Sequence, residues 1–334
     1  MGPRLFNAVV VVFWLSTMTW LVVVKVLPPL QIGEPPNYRS IYATAPHDYP
    51  ESVCWDMLWN DRPMGWAKTA VWRSSSGVTE VTSLVHFDHV PIDELAPSWI
   101  RPVLRSAVEP IGTLAMDANS RLEIDPLGRL SGIYSKVRAE GYPAAEIVIR
   151  GKVEGTTLTG TVRSGLLNQP FERYLPPDAL MGDELSPQGR MPGLRIGQEW
   201  TVPVYSPFRF SDNRNPIEIL HAKVEDQEWV PQGEESILTL VVVYRTDSGS
   251  ILGGAQTPRG KLWVADDGTV VKQTTRLFGS ELAFIRPDEK RTNEILALAK
   301  PLSDKMELER RWRRHGRGPD SGVKKPAREG AGND

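Results

Sequence analysis

The chain has a single cysteine, Cys54, in 334 residues. One thiol cannot close an internal disulfide or build a cysteine-rich metal site. Histidine is scarce too, at five, and only His86 and His89 stand close together, in HFDH. In a strand, residues three apart point to opposite faces, so this pair reads as a solvated strand end and no metal is expected. Basic charge is not in excess: 39 Lys and Arg against 41 Asp and Glu leave a formal net charge of −2. A nucleic-acid partner is not expected, because gripping a phosphate backbone takes a surplus of cations.

Catalytic signatures are missing as well. There is no G-x-S-x-G elbow, and DSGSILGG (residues 247–254) matches neither a phosphate loop nor a dinucleotide fingerprint. Cys54 sits in an apolar strand with no evident base, where a small buried thiol is expected rather than a nucleophile. Asp266 and Asp267, in ADDG, read as a turn before they read as paired acids. No catalytic residue and no cofactor is expected, and the chain is read as non-enzymatic.

What the sequence does contain is apolar length, proline and tryptophan. The run LFNAVVVVFWLSTMTWLVVV begins at Leu5, ends at Val24 and carries no formal charge. Its 20 residues match what a hydrocarbon core of ~30 Å requires. A cleaved signal has a shorter apolar core and a small-residue cleavage site, and KVLPPLQIG follows this run instead. The expectation is an uncleaved single-pass anchor, with the head inside and the bulk of the chain on the periplasmic, extracytoplasmic side of a cell membrane. Residues 1–4 form the cytoplasmic head and 5–27 the anchor. Residues 28–50, with prolines at 28, 29, 35, 36, 46 and 50, read as a stiff tether.

Residues 51–300 read as a mainly β domain. SVCWDMLWNDRPMGWAKTAVW places two apolar-aromatic runs around the turn residues NDRPMG, which predicts a hairpin. A Val- and Thr-rich third strand follows in residues 76–90, and residues 91–107 predict short, proline-limited capping helices. Further strand patterns run to residue 165. Residues 168–193 read as the longest irregular stretch and the boundary between two halves, 51–167 and 194–287. A helix is expected over residues 288–300, stopped or kinked by Pro301. Residues 301–334 read as a disordered basic tail.

One pattern occurs twice. RLEIDPLGRLSGI (residues 121–133) and KLWVADDGTVVKQ (residues 261–273) align at a constant offset of 140. Leu122 meets Leu262, Ile124 meets Val264, Gly128 meets Gly268, and Leu130 meets Val270. Each reads as a strand, a tight turn ending in glycine, and a return strand. A duplicated sheet unit and one large sheet that uses a common turn twice both account for it.

The 11 tryptophans include Trp55, Trp59, Trp66, Trp72, Trp200 and Trp263 on strand patterns. On a concave sheet these six would line an apolar cavity able to hold an acyl chain; alternatively they fill the core. The motifs G-Q-E-W-T-V-P (residues 197–203) and K-L-W-V-A-D-D-G-T-V-V-K (residues 261–272) resemble bacterial envelope β proteins related to the lipoprotein-localisation carriers. That resemblance covers residues 52–286. It implies an open, half-barrel antiparallel sheet capped by helices around an acyl-chain cavity, and no catalytic residues. The expected function is binding of a lipid or a lipidated partner such as a lipoprotein. The alternative is a structural or interaction module of an envelope complex, docking through sheet edges or the long loop.

Overall fold

Three hairpin turns are built alike, and they set the frame of the molecule, a computed structural model. The backbone N–H groups of Ser74, Asp125 and Ala265 donate to the carbonyls of Val78, Arg129 and Thr269, each at 2.8 Å. The fourth residue of each turn is a glycine in the left-handed region: Gly77, Gly128 and Gly268, with φ of 81°, 76° and 82°. This is a type I turn closed by a glycine bulge, whose twist suits a hairpin. The two copies seen in the sequence therefore share one turn geometry. They also share a register shift just before it, between Glu123 and Ile124 and between Trp263 and Val264.

The structure describes residues 3–23, 36, 51–90, 114–165, 167–175, 182–183, 186–205, 217–233, 235–246, 258–277 and 279–314. The predicted capping helices in residues 91–107, most of the tether, the DSGSILGG loop and residues 315–334 lie outside them. The strands form one 15-stranded sheet, in the order β8-β7-β6-β5-β4-β3-β2-β1-β15-β14-β13-β12-β11-β10-β9. In chain order they are β1 Glu51–Trp59, β2 Arg62–Arg73, β3 Thr79–Val90, β4 Leu114–Ile124, β5 Leu130–Ala139, β6 Tyr142–Glu154, β7 Thr157–Ser164 and β8 Leu167–Tyr174. Then come β9 Gly182–Asp183, β10 Glu199–Tyr205, β11 Ile217–Gln232, β12 Glu235–Thr246, β13 Gly260–Val264, β14 Val270–Leu277 and β15 Ser280–Ile285. Neighbours pair antiparallel except β9, which lies parallel to β10. The sheet is open, with β8 and β9 as its edges.

Residues 168–174, expected to be irregular, belong instead to edge strand β8. Pro170 hid that strand, because proline is poor in a ladder. The two-residue connection between Ser164 and Leu167 makes that pair hydrogen-bonded, and alternation leaves Pro170 in a wide pair with Thr161. Its missing N–H would have pointed to the free edge, where proline costs nothing and discourages strand addition.

Most strands from β1 to β5 and from β10 to β15 bury one side in a shared interior. One apolar cluster joins Trp55, Met57 and Trp59 of β1 to Val85 and Phe87 of β3, Val202 of β10, Val242 of β12 and Phe284 of β15. Residues so far apart in the strand order meet only if the sheet curls. Consistent with that, β11 and β14 approach across two intervening strands. This curled-in side is called the inner face below.

The outer face carries a helix. α2, Glu289–Arg314, begins at Asp288, whose Oδ1 accepts from the Arg291 N–H at 2.7 Å as an N-cap. Ile295 and Ala299, fully buried and one turn apart, sit on Cys54, Trp66 and Leu84. Of the two expectations for Pro301, a stop or a kink, the stop does not occur: the helix continues through it to Arg314, so residues 301–314, read as disordered tail, are helical. Proline removes one backbone donor there, and Leu302 packing on the sheet just beyond it helps hold the line.

α1, Pro3–Leu21, spans 19 residues, about 28 Å at 1.5 Å per residue. Its described side chains are exposed. No helix among the described residues is long and apolar enough to cross a membrane, and Val24, the expected end of the span, lies outside them.

Candidate functional site

Alternation sorts the six tryptophans onto two faces. Trp55, Trp59 and Trp200 belong to the inner cluster. Trp66 lies outside, under α2, stacked on His86 with ring centroids 5.4 Å apart. Trp72 shares the parity of Trp66 on β2. Trp263 is on the outer face too, where its Nε1 donates to Glu228 at 2.7 Å and Lys272 lies 4.7 Å from its ring. A ligand in the curl of the sheet can thus meet Trp55, Trp59 and Trp200, and it cannot meet the other three.

The inner face is crossed by residues 186–192, an extended strap that sequence patterning reads only as loop. Ser186 and Ser120 share a hydroxyl hydrogen bond at 2.9 Å. The Gln188 N–H donates to Gln273 Oε1 at 3.0 Å. The Gly189 carbonyl accepts from Val270 N at 3.2 Å and from Arg286 Nη2 at 3.0 Å. Met191 N donates to the Gly268 carbonyl at 2.7 Å, and the Met191 side chain is fully buried. Arg286 also lies over the Trp55 ring, 5.6 Å from its centroid, so one guanidinium ties strap and core together.

Where Ser186 meets Ser120, the inner face is a row of small side chains. Thr69, Ser83, Ser120 and Ser135 stand opposite one another on four adjacent strands, and all are buried. The row separates two apolar layers, one around Trp55 and the other formed by Leu122, Leu130, Ile133, Ile149 and Leu158.

Beside the strap, toward β10–β14, lies a cavity of about 70 Å³. Val202, Val204, Leu220 and Leu262 give it apolar walls, and Tyr244, Gln273, Thr275, Ser186 and Gln188 give it polar ones. Among the described residues, Gln188 Oε1, on the cavity wall, and Trp200 Nε1, one pleat from Val202, are buried without a hydrogen-bond partner. Buried polar groups are nearly always paired, so the orphaned Gln188 Oε1 marks the cavity wall as suited to a polar group from outside.

The outer face holds a different cluster. His86 shares a hydrogen bond with Asp117 at 2.8 Å and lies 3.3 Å from Asp88, while Arg138 approaches Asp117 at 3.5 Å. The Asp117 hydrogen bond lifts the His86 pKa against the opposing effect of burial. Burial pushes the Asp117 carboxyl up, but His86 and Arg138 outweigh it and hold that carboxyl below its ordinary value. His89 is exposed and apart, and no cluster able to hold a metal occurs among the described residues. Cys54 is buried under α2; burial there pushes its thiol up, the opposite of an activated nucleophile. Asp267 caps its own turn, accepting from Thr269 N and Oγ1 at 2.8 Å each.

Sequence reasoning missed the strap, the hydroxyl row and the His86–Asp117 pair. The row had a readable trace, since Thr69, Ser83, Ser120 and Ser135 fall on strand patterns at positions where large residues would be expected. Choosing those positions out of many polar ones required the register.

No protein-family model matches the chain, and no curated protein matches it. Among solved structures it is similar to a β-barrel-like protein of a domain of unknown function, DUF1849, from Brucella abortus, at 11% identity and a TM-score of 0.41. The match covers 72% of this chain and 97% of that one.

Proposed function

We propose that the chain is a membrane-tethered envelope protein whose inner sheet face binds an acyl chain, from a lipid or a lipidated protein, without catalysis. The observation that carries this reading is the cavity against the strap. Its walls are apolar at Val202, Val204, Leu220 and Leu262, and two orphaned polar atoms, Gln188 Oε1 and Trp200 Nε1, lie on the same face. Apolar walls with a few convergent polar groups are the usual make-up of a site for an amphiphile. The tether belongs to the same proposal. The uncharged run from Leu5 to Val24 supports this part of the reading by its length and apolarity alone, and with a single span the β domain would lie on the extracytoplasmic side.

The second reading, an interaction module with no small ligand, is favoured by the size of the cavity. About 70 Å³ is far below the roughly 300–1,000 Å³ of ordinary ligand sites. The two readings separate in one experiment. The full chain, purified from a bacterial envelope, is extracted with organic solvent and examined in parallel by native mass spectrometry. Stoichiometric co-purifying lipid is expected. A protein that emerges lipid-free, and that takes up no fatty acid offered to it, would leave the interaction module standing.

A further inference from the structure

The outer face of β3–β7 is ordered in cross-strand rows, and two neighbouring rows differ from those around them. Leu84, packed under α2, marks which side of β3 is outer. One row runs Thr82, Arg121, Tyr134, Arg150, Thr161, each residue directly opposite the next. Its neighbour runs Leu84, Asn119, Lys136, Val148, Arg163. Together they hold Arg121, Arg150, Lys136 and Arg163 and no carboxylate. Two carboxylates reach in from adjoining rows: Glu123 Oε1 lies 3.4 Å from Arg121 Nε, and Glu146 Oε2 lies 3.2 Å from Lys136 Nζ. Arg150 and Arg163 are exposed, and among the described residues neither has an ion pair.

The two arginines of the first row converge. Arg121 and Arg150 flank Tyr134 in register, and their guanidinium carbons lie 5.8 and 5.7 Å from the centre of its ring. Contact with an aromatic ring steadies a planar guanidinium and leaves N–H donors for a further partner. The fold does not itself require this arrangement. In the second half of the sheet, Lys261 stands where Arg121 does at the offset of 140. Its row runs Glu199, Lys223, Val243, Lys261, Thr274, and Glu199 Oε1 closes on Lys223 at 2.6 Å. We propose that Arg121 and Arg150, with Arg163 beside them, form an outer-face site for a phosphate group. A carboxylate has two oxygens in one plane and fills one guanidinium fork, whereas a tetrahedral phosphate offers oxygens to two forks at once. The phosphate is that of a lipid headgroup or a free phosphate. This site does not depend on the acyl-chain reading, which concerns the other face.

The full chain in neutral detergent is titrated calorimetrically, at constant ionic strength, with two probes. One is inorganic phosphate, and the other is glycerophosphoglycerol, the deacylated headgroup of phosphatidylglycerol. Binding of at least one probe is expected, weakened about tenfold or more by Arg150→Gln and by Arg121→Gln. Lys152→Gln removes the same charge from an exposed position two residues from Arg150 on β6, and it is expected to leave binding within about twofold. Inorganic phosphate bound alone identifies a site for free phosphate, and binding of the diester identifies a headgroup site. Arg150 is exposed, so Arg150→Gln is expected to unfold at the same temperature as the unaltered chain, which separates lost binding from lost folding. The site is overturned if neither probe binds. It is overturned equally if Lys152→Gln weakens binding as much as Arg150→Gln, because the attraction is then diffuse and not built by the two converging guanidiniums.

Discussion

Strands β1–β6 and strands β10–β15 follow the same path. In each, six strands pair antiparallel in chain order, with the connection after the third outside the described residues (in the second set the one after the first also), and β1 of the first set pairs with β15 of the second. Their turns at Asp125–Arg129 and Ala265–Thr269 coincide in hydrogen bonding and glycine φ. The inner faces do not coincide. In the first set, one cross-strand row reads Val53, Thr69, Ser83, Ser120, Ser135. In the second, the corresponding row reads Trp200, Ala222, Tyr244, Gly260, Thr275. Ladders and turns specify the path, and inner-face side chains decide what the path encloses. In the first set a row of small hydroxyls leaves room for Ser186 to meet Ser120, whereas the second set, which holds most of the strap's hydrogen bonds, mixes large and small residues beside the cavity. We propose that the two sets are a duplicated unit that has diverged on its inner face.

The largest expected effect separates the two sets at equivalent pleats. Trp55 is fully buried in the first, and Trp55→Ala is expected to cost about 3–5 kcal/mol in urea unfolding. Val202, its counterpart on β10, faces the cavity, and Val202→Ala is expected to cost only about 1–2 kcal/mol. Equal losses would mean that the two inner faces are packed alike.

The paired turns offer a smaller contrast. Gly128→Ala places an ordinary residue in the left-handed region, at about 1–2 kcal/mol. Gly268→Ala meets that penalty and also drives its Cβ to 2.6 Å from Pro192 Cα, so it is expected to cost more and to loosen Met191 as well. Thermal unfolding of both variants, with exchange of the Met191 amide, checks the order. The carboxylates that brace these turns differ: Asp125 accepts from Leu127 N and Arg129 N, whereas at the second turn Asp267 accepts from Thr269 N. A shared turn does not require a shared cap.

The smallest effect is in pH. On the first set's outer face His86 has its pKa raised above 6.5 by Asp117. Its stabilisation is fully present below that value and is lost as pH rises through the folded pKa. Asp117, lowered below 3.8, contributes above that value and loses its contribution as pH falls through the folded one, so the pair helps most between the two. On the second set's outer face Glu199 pairs with Lys223 and lies 3.6 Å from His221, and Glu225 pairs with Arg245. Raising pH from ~6 to ~8 should therefore lower the Tm by about 1–3 °C, and His86→Gln should flatten that slope. An unchanged slope would place the titration elsewhere.

Much of this architecture was legible in the sequence. The β1–β2 hairpin follows from NDRPMG, because Asn60 and Asp61 accept positive φ of 48° and 64°. The paired turns follow from two glycines at a fixed spacing. Alternation also separated Trp55 and Trp59 from their neighbours within β1. It could not say that Trp66 and Trp72 share the opposite face, because that depends on register, which the irregularity between Met57 and Leu58 adjusts. The strap was illegible for a related reason. SPQGRMPG has no period, and its place is set by single hydrogen bonds to residues 66 and 85 positions away. The helix runs past Pro301, where local propensity allowed a stop, because the sheet beneath it was not weighed.

The central claim, that the inner face and not the outer one takes the acyl chain, is tested most directly by brominated fatty acid quenching in two variants. Trp200 is on the inner face beside the cavity wall, and Trp263 is on the outer face beside Lys272. The account predicts that Trp200→Phe removes a substantial part of the quenching and that Trp263→Phe leaves it unchanged. Loss of quenching with Trp263→Phe and none with Trp200→Phe would put the ligand on the wrong side of the sheet and contradict the account.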